Sequence, residues 1–188
     1  MRIRVVFAAA AALAGAGCLA GCSQAIGEGV ALYRGAGGSV TPLTGESASV
    51  ENKPLAGYTG FELGTFTDDM GGNVPAGLFQ DLPPAFKKLL AEKRIPNTGG
   101  KTLLVTGRVL HYEDSSVVGM ALGPVEFVVA RVTFADQTTG QVVGTANCVG
   151  QTKKRVNVGV RKKAQGLAKA IVKWIDERFP DGERVSKE

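Results

Sequence analysis

Two stretches of alternating apolar and polar residues, joined by a five-residue turn, constrain the fold of this chain more than any other feature. The stretches cover residues 125–135 and 141–151, and residues 136–140 between them read Asp-Gln-Thr-Thr-Gly. A period of two is typical of strands with one buried face. Asp favours the start of a type I turn, and Gly takes the left-handed position that closes such a loop. The pattern therefore predicts an antiparallel β-hairpin.

Two more strands and two helices are predicted around this hairpin. Residues 60–67 and 103–112 have strand patterns, and the second carries apolar side chains on both faces, which favours a central position in a sheet. Residues 160–179 place apolar side chains at helical spacing and are followed by Pro180.

The other helix is predicted to begin at a pair of prolines. Pro83 and Pro84 suit the first turn of a helix, where a missing N–H costs nothing, and Asp81 is a suitable cap. The helix is expected to end before Pro96. The order of elements predicts an α+β two-layer βαβββα sandwich, in which both helices cover one face of a mainly antiparallel four-stranded sheet. We expect this domain at residues 55–180, followed by a polar tail at 181–188.

Residues 22–54 show no sustained period of 2 or 3.6 and are rich in Gly, Ser, Ala and Thr. Such a composition is typical of a flexible tether. The glycines at 35–38 do not follow a strand or open a helix, so they do not indicate a phosphate-binding loop.

The N-terminus has the proportions of a secretory signal. Arg2 and Arg4 precede an uncharged apolar stretch at residues 5–19. A membrane-spanning helix needs roughly 20 apolar residues, so this stretch is short for a span and fits a signal peptide at residues 1–21.

Leu19-Ala20-Gly21-Cys22 follows that stretch and resembles the lipobox of bacterial lipoproteins. The resemblance implies cleavage between Gly21 and Cys22 and attachment of lipid to the Cys22 thiol. Stable anchoring takes two or more acyl chains, since one chain binds a membrane only marginally. The implied location is extracytoplasmic, and Ser23 favours the outer membrane facing the periplasm over the plasma membrane if the enteric sorting pattern applies.

The chain has three cysteines, and Cys148 is the one that remains after Cys18 leaves with the signal and Cys22 is lipidated. No intrachain disulfide is then expected, and a lone thiol in an alternating stretch is typical of a small buried residue. Without Arg2 and Arg4 the formal net charge falls from +5 to +3. A charge this mild gives little reason to expect nucleic-acid binding.

Six basic residues lie at the start of the last predicted helix and before it: Lys153, Lys154, Arg155, Arg161, Lys162 and Lys163. Positive charge at a helix N-terminus opposes the helix dipole. Two interpretations stay open: a solvated face partly paired with acids, or a contact for an anionic partner such as lipid headgroups, an anionic envelope polymer or an acidic protein.

Other candidate sites are weaker. His111 is the single histidine, at the end of a predicted strand, and it is interpreted either as an ordinary strand-end residue or as a functional one. Residues 114–124 mix apolar residues with glycines and are interpreted either as a loop over the core or as a contact surface for a partner or another copy. No motif indicates catalytic residues, a metal site or a cofactor.

The lipobox, the strand Leu103-Leu104-Val105-Thr106-Gly107-Arg108-Val109 and the 136–140 hairpin together resemble a group of bacterial lipoproteins that share a domain of unknown function. More distantly, the element order is similar to small α/β modules of the curli-secretion lipoprotein and of the amino-terminal domain of the Tol translocation protein. These resemblances imply a role in the cell envelope. They carry over no catalytic residue, and residues 114–124 are too few for the membrane-inserting hairpins of the curli channel.

The sequence therefore predicts a membrane-anchored envelope lipoprotein that acts as a non-enzymatic binding or scaffolding module. Its expected partners are a membrane, through the lipid, and an envelope protein or anionic polymer; a homo-oligomer is also compatible. Two alternatives stay open: an enzyme acting on envelope polymers, and a self-assembling secretion component.

Overall fold

A computed structural model describes residues 36–43, 50–113, 126–152 and 159–186 of the chain. These residues form five β-strands and two α-helices: β1 (Gly37–Pro42), β2 (Gly60–Asp68), α1 (Ala76–Glu92), β3 (Thr102–Tyr112), β4 (Glu126–Asp136), β5 (Val142–Thr152) and α2 (Val160–Arg178). Two short 3-10 helices lie at Val50–Asn52 and Asp181–Glu183.

The strands form one mixed sheet in the order β1-β5-β4-β3-β2. The pair β2–β3 is parallel, because α1 carries the chain back to the end of the sheet from which β2 started. The other three pairs are antiparallel. The α+β class is confirmed, whereas the prediction of four strands is wrong by one.

The fifth strand, β1, lies inside the 22–54 segment predicted to be a tether. It pairs with β5 from Gly37↔Gln151 to Pro42↔Ala146. Its glycines permit close packing: a Cβ at Gly38 would lie 2.5 Å from the backbone nitrogen of Ala170 in α2. The backbone of α2 lies directly against this strand and leaves no room for larger side chains. The strand is therefore rich in glycine and lacks the alternating pattern from which a strand is predicted.

The helix α1 begins at Ala76, six residues before the predicted start. Its buried side chains are spaced by four residues and extend through the prolines: Leu78, Leu82, Phe86 and Leu90. Pro83 and Pro84 lie inside the helix on its exposed side. The backbone carbonyls that lose their intrahelical partners there are therefore near water, and the prediction that these prolines start the helix is wrong.

Both helices contribute to one core. The helix α2 packs across β1, β5 and β4, while α1 packs beside α2 and reaches β2. Alternate residues of β4 and β5 face this core, and their neighbours on the other face are only half-buried. At its centre Phe134 of β4 stacks on Trp174 of α2, with ring centroids 3.7 Å apart.

The predicted hairpin is present between β4 and β5. Asp136 Oδ1 accepts hydrogen bonds from the backbone N–H groups of Thr138 and Thr139, and Gly140 has a φ of +70°. The backbone hydrogen bond from Thr139 lowers the pKa of Asp136 although burial opposes this, and bonds from the Tyr58 hydroxyl and the Thr138 N–H act in the same direction.

The C-terminal segment is packed against the domain as far as it is described. Arg184 donates to the Lys93 carbonyl and to Asp176 Oδ1, both at 2.9 Å. The backbone N–H of Val185 donates to the Arg94 carbonyl. A polar tail is predicted at 181–188. Within it, residues 181–186 are ordered and contact the C-terminal ends of α1 and α2.

Candidate functional site

A buried ion pair lies at the end of the sheet where β3 and β5 end and β4 begins. Lys163 Nζ is 3.0 Å from Glu126 Oε2, and the side chains are 0% and 2% exposed. Lys163 Nζ also donates to the backbone carbonyl of Glu113 and lies 4.0 Å from the centre of the Tyr112 ring. Thr152, opposite Glu126 in the β4–β5 ladder, is buried at the same end.

The charge on Lys163 is stabilised by these neighbours. Burial opposes it, but Tyr112 and the Glu126 carboxylate together hold the pKa of Lys163 above its ordinary value. A buried ion that loses its partner is strongly unfavourable, so the two side chains depend on each other. Lys163 therefore fixes both Glu113 and Glu126, which lie on either side of residues 114–125.

This position changes the interpretation of the predicted basic cluster. Lys163 faces the core and is not available to an external anion. Arg161 is exposed, and Lys162 is half-buried, with its amino group 3.3 Å from Gln165 Oε1. Lys153, Lys154 and Arg155 lie outside the described residues, as do Gly21, Cys22 and residues 114–124 with their predicted contact surface.

His111 and Cys148 lie on opposite faces of the sheet. His111 is exposed on the face that the helices leave uncovered, with its ring centroid 6.4 Å from that of Phe127. Cys148 is fully buried, as predicted. The described residues contain no group of three or more His, Cys, Asp and Glu side chains placed to hold a metal ion. In the same part of the chain, no helix has the length and apolar character needed to cross a membrane.

A groove of about 490 Å³ runs along the start of β2. It is lined by residues 60–63 of β2, by Pro83, Phe86 and Lys87 of α1, and by residues 97–99. The volume lies within the range of ligand-binding pockets.

Residues 97–99 are held to β2 and to the residue before it by specific hydrogen bonds. Asn97 Oδ1 accepts the backbone N–H of Phe61 at 2.8 Å, and the Thr98 N–H donates to the Thr59 carbonyl at 2.9 Å. The Thr59 hydroxyl donates to the Gly99 carbonyl. Positive φ angles at Gly99 and Gly100 allow this tight return into β3.

Sequence reasoning missed the ion pair and the groove for different reasons. Lys163 precedes Leu167 by four residues in a helix, and Glu126 precedes Val128 by two in a strand. Each charged residue therefore lies on the same face of its element as a core residue. This spacing is visible in the sequence and indicates a buried position for both side chains. The groove depends on the approach of α1 and the 97–99 loop to an edge strand, which no local pattern indicates.

The chain matches no known family model, and no curated protein sequence is similar to it. Solved structures with a similar fold include the PelC dodecamer from Paraburkholderia phytofirmans, at 12% identity and a TM-score of 0.44, covering 76% of this chain and 99% of that one. The L103M form of that dodecamer gives 13% identity, a TM-score of 0.44 and coverage of 76% and 98%.

A minor lipoprotein from Acinetobacter baumannii is also similar in structure. The identity is 15%, the TM-score 0.34, and the match covers 60% of this chain and 91% of that one. Similarity at this distance assigns neither a family nor an activity to the chain.

Proposed function

We propose that this chain is an extracytoplasmic lipoprotein, anchored by lipid on Cys22, whose folded domain is a non-enzymatic binding or scaffolding module. The observation that carries the anchor is the Leu19-Ala20-Gly21-Cys22 sequence directly after the uncharged residues 5–19. An acyl chain contributes about 0.8 kcal/mol per buried CH₂, so two or three chains give a stable hold. Ser23 favours the outer membrane.

The geometry of the domain supports a module that contacts large partners. Strands β3, β4 and β5 are each 11 residues long, and one of their faces is uncovered by the helices. That face presents half-buried apolar groups such as Phe127, Val129 and Val149 beside His111. Catalytic sites are generally concave with converging polar groups. Here the closely paired charges Lys163 and Glu126 are enclosed in the core and support the fold.

The length of chain between anchor and sheet limits where the module works. Residues 23–36 separate Cys22 from β1. In any conformation these residues span at most about 50 Å. A partner is therefore expected within reach of the membrane surface.

Mass spectrometry of the full chain, expressed in a bacterium that processes lipoproteins, tests the anchor. We expect a polypeptide that begins at Cys22 and carries diacylglyceryl and acyl groups. The Cys22→Ser variant is the matched control and should lack the lipid mass. An unmodified Cys22 with an intact leader would contradict the proposal.

Cross-linking and pull-down from native membranes test the module. We expect one defined set of envelope partners with the wild type and a loss of these partners with Cys22→Ser, because the variant no longer resides at the membrane. Equal recovery of the same partners by both forms would show that anchoring is not needed for binding.

A further inference from the structure

Two arginines lie opposite each other on the face of the sheet that the helices leave uncovered. Arg108 of β3 and Arg131 of β4 are register partners. Their sequence neighbours Val109 and Val132 are fully buried in the core, so both arginines point away from it. Like charges directly opposite each other in a β-ladder are destabilising. The pair therefore does not serve the stability of the fold, which favours a role in binding.

Arg108 is neutralised by a neighbouring carboxylate, whereas Arg131 is not. Arg108 Nη1 lies 3.2 Å from Asp69 Oδ2. Arg131 donates through Nε to Asn147 Oδ1, at 3.3 Å, in the adjacent strand β5. Within the described residues no carboxylate pairs with Arg131, and its two terminal amino groups have no partner there. Asn147 thus holds the guanidinium in place and leaves its outer edge free for an acceptor with two oxygens.

Glu62, on the same face of β2, is too far from Arg131 to compensate its charge. It lies beside Leu104, four residues along β3 from Arg108, which is a distance of about 13 Å. The Glu62 carboxylate is instead engaged by Gln137 Nε2 at 3.1 Å. An anion at the centre of this face therefore meets a half-buried, uncompensated guanidinium with a second arginine beside it.

Short polar side chains surround Arg131 on this face. Asn147 of β5 and Thr41 of β1 continue the row of the two arginines across the sheet. The next row consists of residues that carry one hydroxyl group each: Thr106, Thr133 and Thr145. The row on the other side is apolar and contains Val129 and Val149. The face thus has two polar rows that run across the strands, beside an apolar row.

The spacing of the rows favours a glycan over a peptide. Neighbouring strands are about 4.8 Å apart, so the polar groups of one row repeat at that interval. One ring of an extended β-1,4-linked glycan has nearly this length and carries hydroxyl groups. An extended peptide repeats its side chains on one face only every ~6.6 Å. The main chain at the centre of the sheet is paired in the ladder and offers a peptide no backbone partners.

We propose that this face binds an acidic polysaccharide that lies across the strands. The free edge of the Arg131 guanidinium holds one sugar carboxylate, and the threonine row binds sugar hydroxyl groups. The apolar row contacts the C–H faces of the rings. This inference rests on the proposed binding function and names the chemistry of the ligand.

A hexasaccharide of β-1,4-linked mannuronate is the probe, and its methyl ester is the uncharged control with the same rings. Binding to the detergent-extracted wild-type protein is measured by calorimetry. We expect the acid form to bind and the ester to bind about tenfold or more weakly, because the ester loses the charge-assisted hydrogen bonds to Arg131.

Substitution of Arg131 tests the site from the side of the protein. Arg131→Gln should weaken binding of the acid form about tenfold or more. It should not lower stability in urea, because it removes the repulsion from Arg108. Arg131→Lys keeps the charge without the planar fork and should bind between these two forms. Arg161→Gln is the matched control, since this exposed arginine belongs to α2 on the helix-covered side, and it should bind as the wild type does.

Several outcomes would overturn the proposal: no binding of the acid form, equal binding of acid and ester, or unchanged binding by folded Arg131→Gln. Hexaglutamate that binds as tightly and competes for Arg131 would assign the face to an acidic protein instead. Loss of binding in Arg161→Gln would place the anion at the start of α2. None of these outcomes alters the lipid mass at Cys22 or the recovery of envelope partners, so failure here is distinct from failure of the proposed function.

Discussion

Lys163 Nζ lies 3.0 Å from Glu126 Oε2, and both side chains are buried, with exposures of 0% and 2%. The pair joins the first turn of α2 to the first residue of β4. It closes the core at the end of the sheet where Tyr112 also lies. Buried pairs of this kind are costly to break even where their net contribution to folding is small.

Removal of either partner should destabilise the domain. We expect Lys163→Met and Glu126→Leu each to lower the free energy of unfolding by about 3–5 kcal/mol, since each leaves one buried group uncompensated. Urea unfolding at neutral pH, followed by the fluorescence of Trp174, measures this.

The double variant Lys163→Met/Glu126→Leu provides the control. Replacing both charges by apolar groups removes the desolvation cost together with the attraction, so the double variant should be more stable than either single variant. Additive losses in the double-mutant cycle would show that the two side chains do not act as a pair.

Gly38 and Gly37 offer a matched test of the packing of β1 on α2. A Cβ at Gly38 would lie 2.5 Å from the Gly166 carbonyl oxygen, whereas a Cβ at Gly37 would have nothing within 4 Å. We expect Gly38→Ala to cost about 1–3 kcal/mol through overpacking, because the obstacle is backbone. Gly37→Ala should be close to neutral in the same unfolding experiment. Equal stability of the two variants would contradict the placement of β1 beneath α2.

Local patterns identified most of the fold. The alternation at β4 and β5, the turn at Asp136 and the apolar stripe of α2 are properties of short segments, and each was located within a residue or two. The same reasoning failed at β1, since its glycines serve close contact with Gly166 of a helix far along the chain. Such a requirement becomes visible only when the two elements are brought together.

The candidate sites were less predictable than the fold. Lys163 lies among charged residues in the sequence, although its spacing of four from Leu167 places it in the core. The backbone preference of Pro83 and Pro84 alone predicts a helix that starts near them, whereas α1 begins at Ala76. The buried spacing from Leu78 to Leu90 outweighs that preference.

We expect the stability of the domain to depend on pH through the carboxyl group of Asp176. Burial would raise the pKa of its carboxyl, but hydrogen bonds and charge from Lys93 and Arg184 outweigh burial and lower it. A lowered pKa in the folded state stabilises the protein above the unfolded value of about 3.9 and loses this effect as the pH falls through the folded value. The wild type should therefore lose stability below about pH 4 more steeply than Asp176→Asn.

Unfolding in urea between neutral pH and strongly acidic pH checks this expectation. At neutral pH Asp176→Asn should cost about 1–2 kcal/mol, since hydrogen bonds from two cations at a partly exposed site are weakened. Glu92→Gln is the control, because its surface pair with Lys88, at 3.9 Å, is worth only about 0.3–0.5 kcal/mol. Parallel acid profiles for the wild type and Asp176→Asn would refute the assignment.

For the basic residues before α2, a contact with anionic surfaces and a solvated face are the two alternatives, and the burial of Lys163 allows them to be tested within one cluster. Charge reversal of Lys153, Lys154 and Arg155 to Glu should weaken binding to phosphatidylglycerol vesicles about 100-fold, at roughly 1 kcal/mol for each basic residue lost. The non-lipidated Cys22→Ser background isolates this effect from the anchor.

Lys163→Met should leave vesicle binding of the folded protein unchanged, because its amino group is directed at Glu126 and not at solvent. Added salt should weaken the wild-type interaction, as it screens exposed charges. Binding that the triple reversal leaves intact would instead assign these side chains to a solvated face with no anionic partner.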